Sequence, residues 1–411
     1  MRRIRPGSCP HRHGTMHRHG TMGRVTPAAD PDELLHAELL PDELLARVHS
    51  RAGIHDHENT FPLADLTELG ESGYLRMLVP TEFGGGGLSL AEASVLQQRL
   101  AGAAPATALA ANMHLVWTGV AAVLDRWGDH SLRFVLQQAT AGEIFAFGIS
   151  ERGNDQVLLD AKTRASAQPD GSYAFTGMKI FTSLAPVWTQ LGVHGRDDTA
   201  PDAPRIVFGF VPRSEVDAGR VLIRDDWDTL GMRGTQSRTT ELLGAIVPGN
   251  RVVRRLEPGQ GDEFTLAVFA VFELLLASVY TGIARRALDI AVAAAAPRRE
   301  DPDVRRRIGA MGIDYDAIGP QIHQLCQEAW AQVAHRDRWF SLLSGVKHRA
   351  VSTATQIVDQ AVTVLGGSAY SAAHELSRLL RDVRAGQFHP ANPDAAHQTS
   401  ATAWLGPVPP G

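Results

Sequence analysis

Cysteine is almost missing: the 411 residues hold only Cys9 and Cys326. Neither a disulfide framework nor a cysteine-rich zinc site can be built from two, which suits a reducing compartment, the cytoplasm. Aromatic residues are scarce at 6%, and 40 basic side chains face 45 acidic ones for a formal net charge of −5. Bulk electrostatic attachment to nucleic acid or to an anionic membrane is therefore not expected, while a local basic pocket for a phosphorylated ligand stays open. No Gly-Lys-Ser/Thr phosphate loop and no paired-histidine metalloprotease string occurs. Gly84 to Gly87 lacks the strand-to-helix setting of a dinucleotide site and reads as a turn. His55 and His57 have no third ligand of clear role, so no metal site is predicted. Long apolar runs are rare too. Phe264 to Ala284 has the length of a membrane span, but Glu273 in its middle would cost about 2.5 to 3.5 kcal/mol in hydrocarbon. The run is expected as a buried bundle helix, with no membrane partner.

What is present is enough chain, with 44% hydrophobic residues, for two or three packed domains. Histidine is in excess at 17. Residues 1–29 carry a direct repeat, HRHGTM at His11 to Met16 and again at His17 to Met22, with too few aliphatic residues to form a core and no apolar segment of the secretory kind. This stretch reads as a disordered leader, or as translated sequence ahead of a start at Met16 or Met22. A metal-binding tract is the alternative, although the histidines lack fixed ligand spacing.

Residues 30–145 read as a helical domain. Asp30-Pro31-Asp32-Glu33 and Pro41-Asp42-Glu43 are helix starts, Leu44, Leu45 and Val48 share one face, and Leu90 to Leu100 forms another. Over 146–253 the period changes to alternation, with a turn at Pro169-Asp170-Gly171 before Tyr173, Phe175 and the run to Phe181. Arg205 to Val211 and Thr239 to Val247 are further strands of an antiparallel β-domain. Residues 254–405 return to helical spacing: Val351, Ala354, Val358, Ala361 and Leu365 line one face, closed by Gly366-Gly367 as a C-terminal cap. The fold class is mostly α with a central antiparallel β-domain.

Several strings punctuate this order. HDHENTFP (55–62) and VPTEFGGGGLS (79–89) fall in the first domain; FGISERGND (147–155), GMKIFTS (177–183) and LGMRGTQS (230–237) in the second; LGGSAY and RLLRDVRAG in the third. Together, from about His55 to Gly406, they resemble the acyl-CoA dehydrogenase superfamily of flavoproteins. That resemblance implies a helical domain, a β-domain and a C-terminal helical bundle around FAD, or FMN should the chemistry be monooxygenation. A flavin needs an aromatic plate, hydroxyl or backbone donors at its polar edge, and little water. By resemblance Phe181 stacks on the ring, Ser150 and Ser183 donate to its edge, and Trp188 adds a wall. Gly366 and Gly367 meet the cofactor pyrophosphate of a neighbouring subunit, which implies a homodimer or homotetramer. Taken alone, Phe181 is equally a buried strand aromatic, and the two glycines a helix cap.

Dehydrogenation in this family needs a carboxylate to take the α-proton of an acyl thioester. Its usual glutamate falls here on Pro390, in the string from Arg381 to Pro390. The minority position, ten residues before the bundle-helix glycine Gly282, is Phe272; Glu273 is one helical step of about 100° away and is expected to point elsewhere. His389 stands beside the lost position, and monooxygenases of this fold carry a histidine in the equivalent loop, where a proton handler and a hydrogen bond near flavin N5 are needed. His389 with Ser183 is the expected catalytic pair. The arginine that helps hold a neighbour's FAD is not recognisable between Pro297 and Ile308; Arg305, Arg306 or Arg307 substitutes for it, or the run is a solvated face. Three readings stay open: α,β-dehydrogenation of an acyl-CoA with an atypical base; monooxygenation of another small organic substrate, with reduced flavin and oxygen; and a non-catalytic flavin-binding scaffold. An electron-transfer or flavin-reductase partner is implied by the first two.

Overall fold

The computed structural model describes residues 38–154, 156–335 and 338–408. The histidine repeat and the helix start at Asp30 lie outside them. Helices α1 (Asp42–Glu58), α2 (Leu63–Glu71), α3 (Leu90–Ala103), α4 (Pro105–Arg126) and α5 (Arg133–Thr140) come first. Local chemistry sets their ends. Ser89 caps α3 in a reciprocal box, its backbone N–H donating to Glu92 Oε2 at 2.6 Å, and Pro105 opens α4 where a missing N–H costs nothing.

The sheet follows, from β1 (Phe145–Gly148) through β2 (Arg164–Ala167), β3 (Tyr173–Thr182), β4 (Gln190–Asp197), β5 (Arg205–Pro212), β6 (Val221–Ile223) and β7 (Arg238–Val247) to β8 (Val252–Leu256), with the short α6 (Ser214–Asp217) before β6. The order is β6-β7-β3-β2-β4-β5-β8, and β1 pairs with β4. Most pairings are antiparallel, but β1 runs parallel to β4, and β2 meets β4 in parallel at Arg164 and Arg196. This departs from the all-antiparallel expectation. β1 is a four-residue FAFG run buried throughout, and such a run carries no alternation from which a direction could be read. β8 also carries the sheet to Leu256, past Val253. Inside the domain, Lys179 donates to Glu151 Oε1 at 2.8 Å and to the His194 carbonyl at 2.7 Å. This buried pair ties the loop after β1 to β3.

Seven of the described helices, including α6, surround or follow the sheet: α7 (Glu263–Ala295), α8 (Pro302–Asp316), α9 (Ile318–Trp330), α10 (Trp339–Leu365), α11 (Glu375–Asp382) and α12 (Pro393–Leu405) complete the bundle. The long apolar run lies in α7. Both α4 and α7 are long and apolar enough to cross a membrane, yet both are enclosed by the rest of the chain, and Glu273 has no exposed surface. Where α7 crosses α3, Gly282 allows contact of the two backbones: a Cβ there would lie 2.3 Å from the Gln98 carbonyl oxygen. Gly282→Ala should therefore cost about 1 to 3 kcal/mol by overpacking, read as a lower urea midpoint with an unchanged slope. An unaltered midpoint would show that the crossing can open.

Candidate active site

Strict alternation along β3 would bury Phe181 with Tyr173, Phe175 and Lys179. The register instead shifts between Lys179 and Thr182, and Phe181 takes a left-handed φ of 55°. The bulge turns Thr182 inward and leaves Phe181 47% exposed, edge-on to Trp227 with ring centroids 6.0 Å apart. Bulges commonly re-aim a side chain beside a functional site. Ser150 is half-buried next to it, its carbonyl accepting the Ile180 N–H at 2.9 Å.

Ser183 follows, buried, its Oγ 2.7 Å from Ser237 Oγ; Ser237 Oγ donates on to Thr235 Oγ1 at 2.7 Å. Two strained loops face each other here. Phe181 and Leu184 on one, and Met232 and Gln236 on the other, have φ of 55°, 64°, 53° and 44°. Left-handed backbone at non-glycine residues costs of order 1 to 3 kcal/mol each and gathers at ligand sites. An aromatic plate, partly exposed, beside a string of hydroxyls is what a flavin ring requires, so this chain's residues fit that cofactor.

The second loop is anchored to the bundle. Asp382, at the end of α11, accepts the Met232 N–H at 2.6 Å. Burial pushes its carboxyl up to about 6, against the pull of Arg378 and of that N–H. A raised carboxyl pKa means that the folded protein holds a proton the unfolded chain has lost, so its contribution falls as pH rises through this window. Asp382→Asn should remove a loss of about 1 kcal/mol between pH 5 and pH 8, measured by urea unfolding at both values. Parallel pH profiles for variant and native chain would refute the assignment.

A second cluster, in which Glu273, Tyr280 and Lys347 are buried and His389 is half-buried, joins α7, α10 and the loop after α11. His389 Nε2 is 2.8 Å from the Tyr280 hydroxyl, the rings crossing edge-on at 5.8 Å. Burial of the ring, and then the Lys347 ammonium, hold the imidazole well below its ordinary value; burial raises the Tyr280 phenol further. Both groups are neutral near pH 7, so His389 does not titrate near neutrality as its residue type suggested. Lys347 donates to the carbonyls of His389, at 3.3 Å, and of Ala391. Glu273 Oε1 accepts the Ala391 N–H at 2.8 Å, and its other oxygen has no partner among the described residues. Burial pushes Glu273 up to about 7, opposed by the charge of Lys347.

The helical step separates the two neighbours as expected, with Phe272 stacking on Phe147 of β1 at 5.2 Å. Glu273 does not point away from the site, however. It points into the wall that carries His389, because α10 and the loop pack on that flank of α7. Ser150, Phe181 and Ser183 thus gather at one end of the sheet and His389 in the bundle, linked by the Phe147–Phe272 stack and the Met232–Asp382 bond. Trp188 belongs to neither: its ring is fully enclosed with the Arg213 guanidinium 4.7 Å from its centre, so it has no free face to serve as a wall. Gly366 and Gly367 lie exposed at the end of α10, with Gly366 at φ 69° and open space around both.

Residues 38–143 match the acyl-CoA dehydrogenase N-terminal domain and residues 274–393 the acyl-CoA dehydrogenase C-terminal domain. The amino sugar nitrososynthase DnmZ of Streptomyces peucetius is 30% identical over 379 residues, covering 86% of this chain and 89% of its own. The chain belongs to the acyl-CoA dehydrogenase superfamily. Dibenzothiophene monooxygenase of Rhodococcus erythropolis is 28% identical over 396 residues, 89% of this chain and 91% of its own. The X-ray structure of KijD3 in complex with FMN and dTDP-3-amino-2,3,6-trideoxy-4-keto-3-methyl-D-glucose aligns with a TM-score of 0.80 at 26% identity, covering 96% of this chain and 98% of that one.

In this chain Arg305 and Arg306 are exposed and Arg307 is half-buried. Arg306 and Arg307 pair with Asp303 at 2.6 and 2.8 Å, and Arg307 also donates to Gln360. Tyr280, Lys347 and Asp382 were not singled out from the sequence. One signal for Lys347 was there: a lone cation between Leu343 and Ala350 on an apolar face of α10, matching the lone carboxylate of α7.

Proposed function

We propose that this chain is a flavin-dependent monooxygenase that transfers oxygen to a nitrogen or sulfur atom of a small organic substrate. Membership of the acyl-CoA dehydrogenase superfamily makes it a flavin-dependent oxidoreductase. The observation that carries the finer reading is the neutral His389–Tyr280 pair standing where the family's base would be, with Glu273 and Asp382 both engaged by backbone amides. Similarity to a nitrososynthase and to dibenzothiophene monooxygenase supports the same reading.

Bound reduced flavin supplies two electrons to dioxygen, so that one oxygen atom enters the substrate and the other leaves as water. Phe181 offers the ring a plate, and the Ser183 hydroxyl, oriented by Ser237, offers its edge a donor. A neutral imidazole can accept the proton that an amine loses on oxygenation and pass it through the Tyr280 hydroxyl. Lys347 and Glu273 grip the backbone on either side of Pro390 and so fix where that imidazole sits. FMN is the cofactor we favour. Arg306 and Arg307 are engaged by Asp303, and KijD3 binds FMN. The electrons come from a separate flavin reductase.

The decisive comparison with thioester dehydrogenation is anaerobic. The FMN-loaded protein, mixed with acyl-CoA esters of graded length, should keep its yellow absorbance. Bleaching by any thioester would overturn the monooxygenase reading in favour of dehydrogenation. An FMN-loaded protein that neither bleaches nor oxygenates amines or thioethers would leave a binding scaffold.

A further inference from the structure

Enclosure of the Trp188 ring leaves the flavin-facing region without the second aromatic wall expected of it, and another tryptophan stands in that place. Trp227, in the loop between β6 and β7, is half-buried and is the one ring that meets Phe181 among the described residues. The two rings stand at 89° with centroids 6.0 Å apart, so together they make a corner rather than one wider plate. A flavin ring has two unlike parts: a polar edge, which the Ser183 and Ser237 hydroxyls suit, and an apolar benzenoid end. That end, lying over Phe181, gains a second contact in Trp227, and edge-to-face meetings of aromatic rings are favourable.

A half-buried loop tryptophan can act as a wall only if its loop is held in place. This loop is held from the first domain. Asn59, within the HDHENTFP string, ends α1 at a left-handed φ of 54°, a conformation that asparagine tolerates better than most residues. From there it reaches both ends of the loop. Its Nδ2 donates to the Trp227 carbonyl at 2.6 Å, while its Oδ1 and its backbone carbonyl accept from the Gln236 amide at 3.2 and 2.9 Å. Between those ends Arg233 donates to the Asp56 carbonyl at 2.8 Å. Gln236 immediately precedes Ser237, so the same clamp fixes the start of the hydroxyl chain that runs to Ser183.

We propose that Trp227 is the second aromatic wall of the flavin site, packing on the apolar end of the ring, and that Asn59 is the positioning residue that holds it there. Only a bound flavin ring is needed for this, and none of the oxygenation chemistry. The first helical domain thereby takes part in shaping a cofactor site whose plate and hydroxyls belong to the sheet.

The full-length protein, freed of flavin, is titrated with FMN and separately with riboflavin; calorimetry gives the affinity and tryptophan emission the quenching by the bound ring. Trp227→Leu should lower the affinity for both ligands by about 10-fold. Trp227→Phe should restore most of that affinity while part of the quenching is lost. Asn59→Gly keeps the left-handed turn and deletes only the side-chain clamp. It should cost about fivefold in affinity and change the visible circular dichroism of bound FMN, a signal that lower stability alone does not move. Asn59→Gly is also the second variant should Trp227→Leu fail to fold. A loss for FMN but not for riboflavin would place the effect on the phosphate and overturn the wall. Unchanged affinity in Trp227→Leu would do the same, and a lower unfolding midpoint with unchanged affinity and dichroism in Asn59→Gly would reduce Asn59 to a structural residue. Lack of FMN binding by the native protein would remove the wall together with the flavin site. His389→Ala that binds FMN but does not oxygenate leaves the wall standing, so the two readings fail separately.

Discussion

His389→Ala should lower the oxygenation rate by about 100- to 10,000-fold, the usual worth of a positioned proton acceptor, while FMN affinity changes by no more than a few-fold. The split follows from placement. His389 sits in the bundle wall against Tyr280, whereas the residues that fit the ring, Phe181 and Ser183, belong to the sheet. Tyr280→Phe should give a smaller loss, since it removes a hydrogen bond and not the acceptor. Because the imidazole is held below its ordinary value by burial and by Lys347, it stays neutral as pH falls through 6.5, and no activity limb assigned to His389 should appear there. Stopped-flow turnover across pH, for the native chain and both variants, checks this. Equal rates for His389→Ala and the native protein would remove the residue from the chemistry.

Lys347→Met should have the largest effect on stability, about 3 to 5 kcal/mol. Deleting the ammonium removes the charge that holds down the pKa of buried Glu273, and the carbonyls of His389 and Ala391 lose their donor, at about 1 to 3 kcal/mol for each group left unsatisfied. Adding Glu273→Gln removes the stranded carboxylate while keeping an acceptor for the Ala391 N–H, so the double variant should recover part of the stability. Recovery of activity should be smaller, because the loop that carries His389 would still lack its cation. Urea unfolding of the two single variants and the double variant gives the coupling energy. Strict additivity would mean that Glu273 and Lys347 do not sense each other.

Those two residues also show what a sequence reveals about such a site. The order of helices, sheet and bundle was legible because spacing and helix starts are local properties: Pro41-Asp42-Glu43 opens α1, and Val351, Ala354 and Val358 stripe α10. His389 was legible through the neighbouring strings, which place it beside Pro390. The parallel direction of β1 was not, since FAFG has no alternation. Nor was the outward turn of Phe181, which depends on a one-strand bulge that breaks the period from within. Trp188 was misjudged because the residue type announces an aromatic surface while packing decides whether that surface is free. Helix geometry alone turns Glu273 away from Phe272. What was missing was the third element, α10, whose Lys347 and flanking loop make that side of α7 a wall of the site.

Oxygen-18 incorporation tests the central claim most directly. With FMN, a flavin reductase and labelled dioxygen, the native chain should convert an amine or thioether substrate to a product carrying one labelled atom per transferred oxygen, and His389→Ala should form almost none. Product with no label, or label equal in the variant, would contradict an oxygenase built around His389.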